Sequence, residues 1–147
     1  MKNIGISLLV IITVLISTHA NSEQSAEDII KNRKALFSKN YNTVKKVQSL
    51  SSSGDFDGAK KLMLEMSENY KSLKEMFPDN TKEGFKTEVT ALVWEEKDKF
   101  NSLMEKTSND MVQLVSIIEN EDDIRGTLKK LMWSNCKACH SKYRIPH

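Results

Sequence analysis

The chain has 147 residues, with 22 Lys and Arg against 20 Asp and Glu, five Gly, two Pro, two Cys and 39% hydrophobic residues. That length gives one domain around a single core and leaves no room for a large two-domain enzyme. Charges of both signs are interleaved to a net +2, which is no footprint for nucleic acid. Gly and Pro are too scarce for the regular turns of a β-sandwich or barrel, or for glycine-rich phosphate loops. A mostly helical chain with two cysteines to explain is what remains.

Met1 and Lys2 precede a nearly uncharged stretch from Ile4 to Ile16, and Ser17, Thr18, His19 and Ala20 lead into a polar run from Asn21. A basic start, about 13 apolar residues and a small residue at the exit are the three parts of a secretory signal peptide. The apolar run is shorter than the about 20 residues of a spanning helix. We expect residues 1–20 to be a signal peptide cleaved after Ala20, and residues 21–147 to be one exported domain with no membrane attachment after cleavage. An uncleaved anchor is the competing reading, and it too exports the bulk of the chain. Cleavage removes Lys2 and His19, leaving His140 and His147 as the histidines of the mature chain.

Four helical stretches follow. Ser25, with Asp28 three residues on, reads as an N-cap, and Ile29, Ile30, Arg33, Leu36, Phe37, Tyr41, Val44 and Val47 recur at helical spacing. Serines 51–53 and Gly54 end this helix. Asp55 or Asp57 caps the second, with Ala59, Leu62, Met63, Met66, Tyr70 and Leu73 on one face, and Phe77-Pro78-Asp79-Asn80 stops it. A loop of roughly eight to ten residues runs through Gly84, longer than a plain helix connection. The third helix is expected from about Thr87 to Glu119, with a kink or break at the polar run 107–110, and the fourth is capped by Asp122 or Asp123, with Ile124, Leu128, Leu131 and Met132 inward. Short first and third turns make neighbours antiparallel, so the expected fold is an all-α, up-down-up-down four-helix bundle.

The fourth helix ends in Cys136-Lys137-Ala138-Cys139-His140. Residues three and four apart share a helix face, so two thiols and an imidazole are directed to one place. This is the spacing of c-type haem attachment, in which both thiols add to the vinyl groups and the histidine reaches the iron. Zinc would need every Cys and His of the mature chain, His147 included. A thioredoxin-like CxxC belongs at a helix start after a strand, and a plain disulfide leaves His140 unexplained.

The chain resembles the cytochrome c prime family over essentially its whole mature length: an early Arg33, FPDNT in the long loop, KTEVTALVW opening the third helix and CKACHSKYR at the end. The resemblance implies one covalently attached haem c per chain in a periplasmic bundle, with thioethers to Cys136 and Cys139 and His140 as axial ligand. It implies that Arg33 pairs with the propionates, that Lys34 contributes beside it, and that Thr87 and Glu88 lie in a haem-contacting stretch where free amides at a helix start can face a propionate. Arg144 is implied to tune His140; for Trp94, plain core packing is expected ahead of direct haem chemistry. Trp133 stands where relatives often carry glycine, and the loop is poorer in glycine than is common.

The resemblance puts the distal position four residues after the arginine, at Phe37. Relatives of the c-556 type place a methionine of the first helix on the iron, but this first helix has none; Met63 and Met66 on the second are the challengers, and such methionines are more often core fillers. Phenylalanine cannot ligate iron, so the expectation is a five-coordinate, high-spin haem with an apolar, crowded distal face that takes NO and CO in preference to dioxygen. The alternative is an electron-transfer cytochrome of the c-556 type serving redox partner proteins. An enzyme is not expected, because acid/base candidates are lacking. The resemblance further implies a homodimer through the first two helices.

Overall fold

A computed structural model describes residues 24–146; the expected signal peptide, its cleavage site at Ala20 and His147 lie outside them. Helix α1 (Ala26–Ser53) begins where Ser25 accepts a hydrogen bond from the Asp28 amide at 3.1 Å and its hydroxyl donates to the Asp28 carboxylate at 2.6 Å. This is the capping arrangement the sequence implies. The helix ends at Gly54, whose φ of 81° glycine adopts without a Cβ penalty, and the Asp55 amide reaches back to the Leu50 carbonyl at 2.9 Å. The Asp55 carboxylate accepts from the Gly58 amide, which starts α2 (Phe56–Lys74) directly after the turn. Val44 and Val47 of α1 meet Ala59, Met63, Met66 and Leu73 of α2 in a core sealed from solvent.

The next connection departs from expectation. It runs from Glu75 to Ala91 with one short 3-10 turn (Asp79–Thr81), and the third helix starts at Leu92 rather than Thr87. Residues 88–90 lie extended along the chain end instead: the Ile145 amide donates to the Glu88 carbonyl at 2.8 Å and the Thr90 amide to the Tyr143 carbonyl at 3.1 Å, forming an isolated antiparallel bridge between Val89 and Arg144. β-Branched Val89 and Thr90 suit that conformation, and the long-range pairing outweighs the helical period.

Helix α3 (Leu92–Glu95) is a single turn, and α4 (Lys97–Ile117) continues the third rod. The break falls at Glu96, with φ −118° and ψ 41°, not at the polar run 107–110. There the helix is unbroken because its polar side chains find inward partners. Thr107 Oγ1 donates to the Leu103 carbonyl at 2.8 Å, Ser108 Oγ lies 2.8 Å from Ser67 Oγ, and buried Asp110 accepts from Asn135 Nδ2 at 2.7 Å and from Lys106. The fourth rod is α5 (Ile124–Leu128), a π-helical turn (Lys129–Trp133) and α6 (Ser134–Tyr143), capped by Asp123 onto the Gly126 amide. The π turn holds one residue more than an α turn and so rotates the cysteine-bearing segment relative to α5.

The four rods form the expected antiparallel bundle, with α2 packed against both α1 and α4. Among the described residues no helix is long and apolar enough to cross a membrane. Gly54→Ala tests the first turn. It should lower the chemical denaturation midpoint, with unchanged slope, by about 1 kcal/mol of stability, and an unchanged midpoint would show that the turn does not depend on glycine.

Candidate functional site

All eight residues singled out in the sequence (Arg33, Lys34, Phe37, Thr87, Glu88, Cys136, Cys139 and His140) border one cavity of about 660 Å³. That is within the range of cofactor pockets. α6 contributes Cys136 and Cys139 as free thiols and His140 beside them. Burial raises both thiols, Cys139 to about 11 with Cys136 adding to the shift, so both are neutral near pH 7. A redox CxxC has the opposite character, a thiol lowered toward neutrality. Burial, and then the Arg144 cation, hold His140 below the ordinary histidine value, which keeps its imidazole neutral and able to ligate a metal.

Arg33 of α1 is 1% exposed. Nη1 donates to the Thr81 hydroxyl at 2.9 Å and the Met76 carbonyl at 3.2 Å, and Nη2 to the Thr81 carbonyl at 3.2 Å and the Thr87 hydroxyl. The guanidinium carbon stands 4.7 Å from the centre of the Phe77 ring. Its hydrogen-bond partners are all uncharged, and burial holds its pKa down to about 10. The side chain is neither solvated nor snorkelling: its terminal N–H groups clamp the α2–α3 connection, while the residue still borders the cavity.

Lys34 donates to the Lys86 carbonyl at 2.9 Å and lies 3.7 Å from Glu88. Together Arg33 and Lys34 hold a left-handed turn in which Gly84, Phe85 and Lys86 all have positive φ. Thr87 and Glu88 reach the cavity from this loop, not from a helix start, so the expected free helical amides are absent there; the Thr87 amide itself donates to the Gly84 carbonyl at 2.9 Å. The Glu88 carboxylate accepts from Arg144 Nη2 at 2.9 Å and Nε at 3.2 Å, which ties the loop to the end of α6.

Phe37 is half-buried and meets Phe77 edge-on, with ring centres 6.5 Å apart. Trp94 lies behind Phe77, its indole donating to the Phe77 carbonyl at 3.0 Å, and is a packing residue as expected. Met63 and Met66 are fully buried and do not border the cavity. Trp133 does, and its ring meets Tyr41 edge-on.

Several wall residues are not marked in the sequence, Met104, Tyr70 and Asn40 among them. Met104 of α4 and Tyr70 of α2 read simply as periodic core positions. Asn40, three residues after Phe37 and seven after Arg33 on the same helix face, could have been found by extending that face one turn. Burial raises the Tyr70 phenol far above its ordinary value, leaving a neutral hydroxyl against Cys136 and Asn40.

A helical bundle whose last rod presents two neutral thiols and a neutral imidazole to a cavity walled in part by aromatic rings suits a planar, covalently attached metal cofactor. The family model described as Cytochrome C' matches residues 28–144, and the chain belongs to that family. Cytochrome c' of Rhodopseudomonas palustris is 28% identical over 120 residues, covering 80% of this chain and 82% of the relative. Its solved structure superposes with a TM-score of 0.73 at 25% identity, over 84% of this chain and 98% of that one. Cytochrome c-556 of Agrobacterium tumefaciens is 32% identical over 71 residues, 47% of this chain and 57% of the relative. The family's cofactor is a covalently attached haem c, and the thiol spacing, the neutral imidazole and the buried Arg33 cation at the cavity wall all suit it.

Arg33→Met removes four hydrogen bonds and leaves buried Thr81 without its donors. It should cost about 3 kcal/mol or more in chemical denaturation, whereas Lys34→Met, at an exposed pair, should cost less than about 1 kcal/mol. Equal losses would show that the loop is not held by Arg33.

Proposed function

We propose that this chain is an exported, periplasmic haem c protein that binds the small neutral gases NO and CO at an iron with one open axial position. The observation carrying this reading is the composition of α1 along the cavity: none of its wall residues is methionine, histidine or cysteine, and Phe37 borders the cavity where the resemblance puts the distal residue. Haem held by two thioethers and one histidine supplies an iron able to take a diatomic ligand.

In this reading Cys136 and Cys139 form the thioethers, and His140 donates its neutral imidazole from the same helix. Arg33 contributes charge to the propionate edge rather than a bidentate grip, since its terminal N–H groups are committed to the loop. The Thr87 hydroxyl accepts from Arg33 and keeps its own proton to donate, and Lys34 adds a second cation at that edge. Phe37, Phe77 and Phe100 form an edge-to-face aromatic wall that excludes water and narrows the approach to the distal side. Residues 1–20 serve as the export signal, and a homodimer through α1 and α2 would cover Tyr41 and Leu64, which are 51% and 48% exposed.

A second reading rests on Met104, the methionine on the cavity wall. Its thioether on the iron would make the chain an electron carrier serving redox partner proteins, as in the c-556 type. Optical spectra of the oxidised and reduced holoprotein, with and without CO and NO, separate the two. We expect a high-spin spectrum that changes on gas addition. A methionine-to-iron charge-transfer band that disappears in Met104→Leu would replace the first reading by the second. Phe37→Ala should also speed CO association by at least about tenfold, the equivalent of about 1.4 kcal/mol in barrier; unchanged kinetics would remove Phe37 as the steric gate.

A further inference from the structure

Asn40 is 2% exposed and borders the cavity. Its Oδ1 accepts from Asn69 Nδ2 at 2.8 Å, which fixes the amide, and its own Nδ2 has no hydrogen-bond partner. Two other buried polar atoms among the described residues share that condition, Ser51 Oγ and Asn101 Oδ1, but neither residue borders this cavity. Buried donors in folded proteins are satisfied as a rule, so the acceptor for Asn40 should come from whatever fills the cavity. The Tyr70 phenol is close enough to take a marginal hydrogen bond from the amide, but the pair falls short of full hydrogen-bond geometry.

The position of Asn40 narrows the choice of acceptor. On one face of α1 it follows Phe37 by one turn and Arg33 by two, roughly 10 Å along the helix axis from the guanidinium. Propionates gathered at Arg33 and Lys34 are therefore at the far end of the wall. Asn40 borders the cavity between Phe37, one turn back on α1, and Tyr70, whose hydroxyl also meets Cys136, and the proposed gas ligand would sit in the space beside Phe37.

We propose that Asn40 Nδ2–H donates a hydrogen bond to the outer atom of the ligand bound beside Phe37, making Asn40 a specificity-determining residue of the site. This rests on the reading of that space as the gas site. The distal side is then mixed, with an aromatic ring that restricts entry and one amide that holds what has entered. Ligands whose outer atom gathers negative charge gain most, so the preference for NO and CO over dioxygen is narrower than an all-apolar wall would give.

The test uses CO on the reduced holoprotein. In the unmodified protein, the paired iron–carbon and carbon–oxygen stretching frequencies should fall with hydrogen-bonded rather than apolar haem pockets, a readout that needs no variant. Asn40→Leu should move the carbon–oxygen stretch to higher frequency and speed CO dissociation by about two- to tenfold, the worth of one net hydrogen bond. Tyr70→Phe should leave the frequency near that of the unmodified protein. A CO adduct with apolar-pocket frequencies, unchanged in Asn40→Leu, would overturn this inference alone. Failure of the reduced protein to form any CO adduct would overturn the gas-binding reading together with it.

Discussion

The cavity depends on one buried cation. Taking a guanidinium out of water costs several kcal/mol even after relaxation, and no carboxylate is among the hydrogen-bond partners of Arg33. Four hydrogen bonds and the face of Phe77 offset part of that cost, and all of them come from Phe77 itself or from the segment joining α2 to α3 and its flanking turn. Arg33 thus determines where this irregular segment lies against α1. Thr87 is held by Arg33, Glu88 holds Arg144, and Val89 pairs with the residue that ends α6, so the cation on the first helix fixes the wall opposite the loop and the end of the His140 helix in one chain of contacts. An anionic cofactor edge beside Arg33 would supply the charge that the protein does not.

Local chemistry decided which features the sequence makes legible. Ser25 and Asp28, Gly54 and Asp55 act on residues within five positions of themselves, and the helix boundaries they imply are those observed. The cysteine and histidine spacing is equally local and needs only a helix to converge. What escaped reading is long-range. Val89 fits a helical period, but its backbone pairs with Arg144. The run 107–110 looks like a break because its polar groups have no visible partner in sequence, yet Ser67 lies 41 positions from Ser108 and Asn135 lies 25 from Asp110. The π turn at Lys129–Trp133 has no marker comparable to glycine or proline.

The same distinction applies within the site. Arg33 and Phe37 were recognised as cavity residues, but the role of Arg33 as a clamp depends on Thr81 and Thr87, 48 and 54 positions away. Asn40 sits one turn further along the same face, and asparagine, commonly a surface residue, carries no sequence signal of burial. Its burial emerges only when α1 is docked against α2, where Asn69 takes one end of its amide. The α6 side of the cavity carries the reactive groups, and burial keeps its thiols neutral and its histidine unprotonated. The α1 side presents an aromatic ring and a single amide, and the proposed selection among ligands rests on these two.

The proposed gas binding requires an iron that would be held axially by His140 alone, with Phe37 on the opposite face. Electron paramagnetic resonance of the oxidised holoprotein at neutral pH measures this directly. An axial high-spin ferric signal should be the dominant species, and a dominant rhombic low-spin signal, which requires a strong sixth ligand from the protein, would rule out the open position.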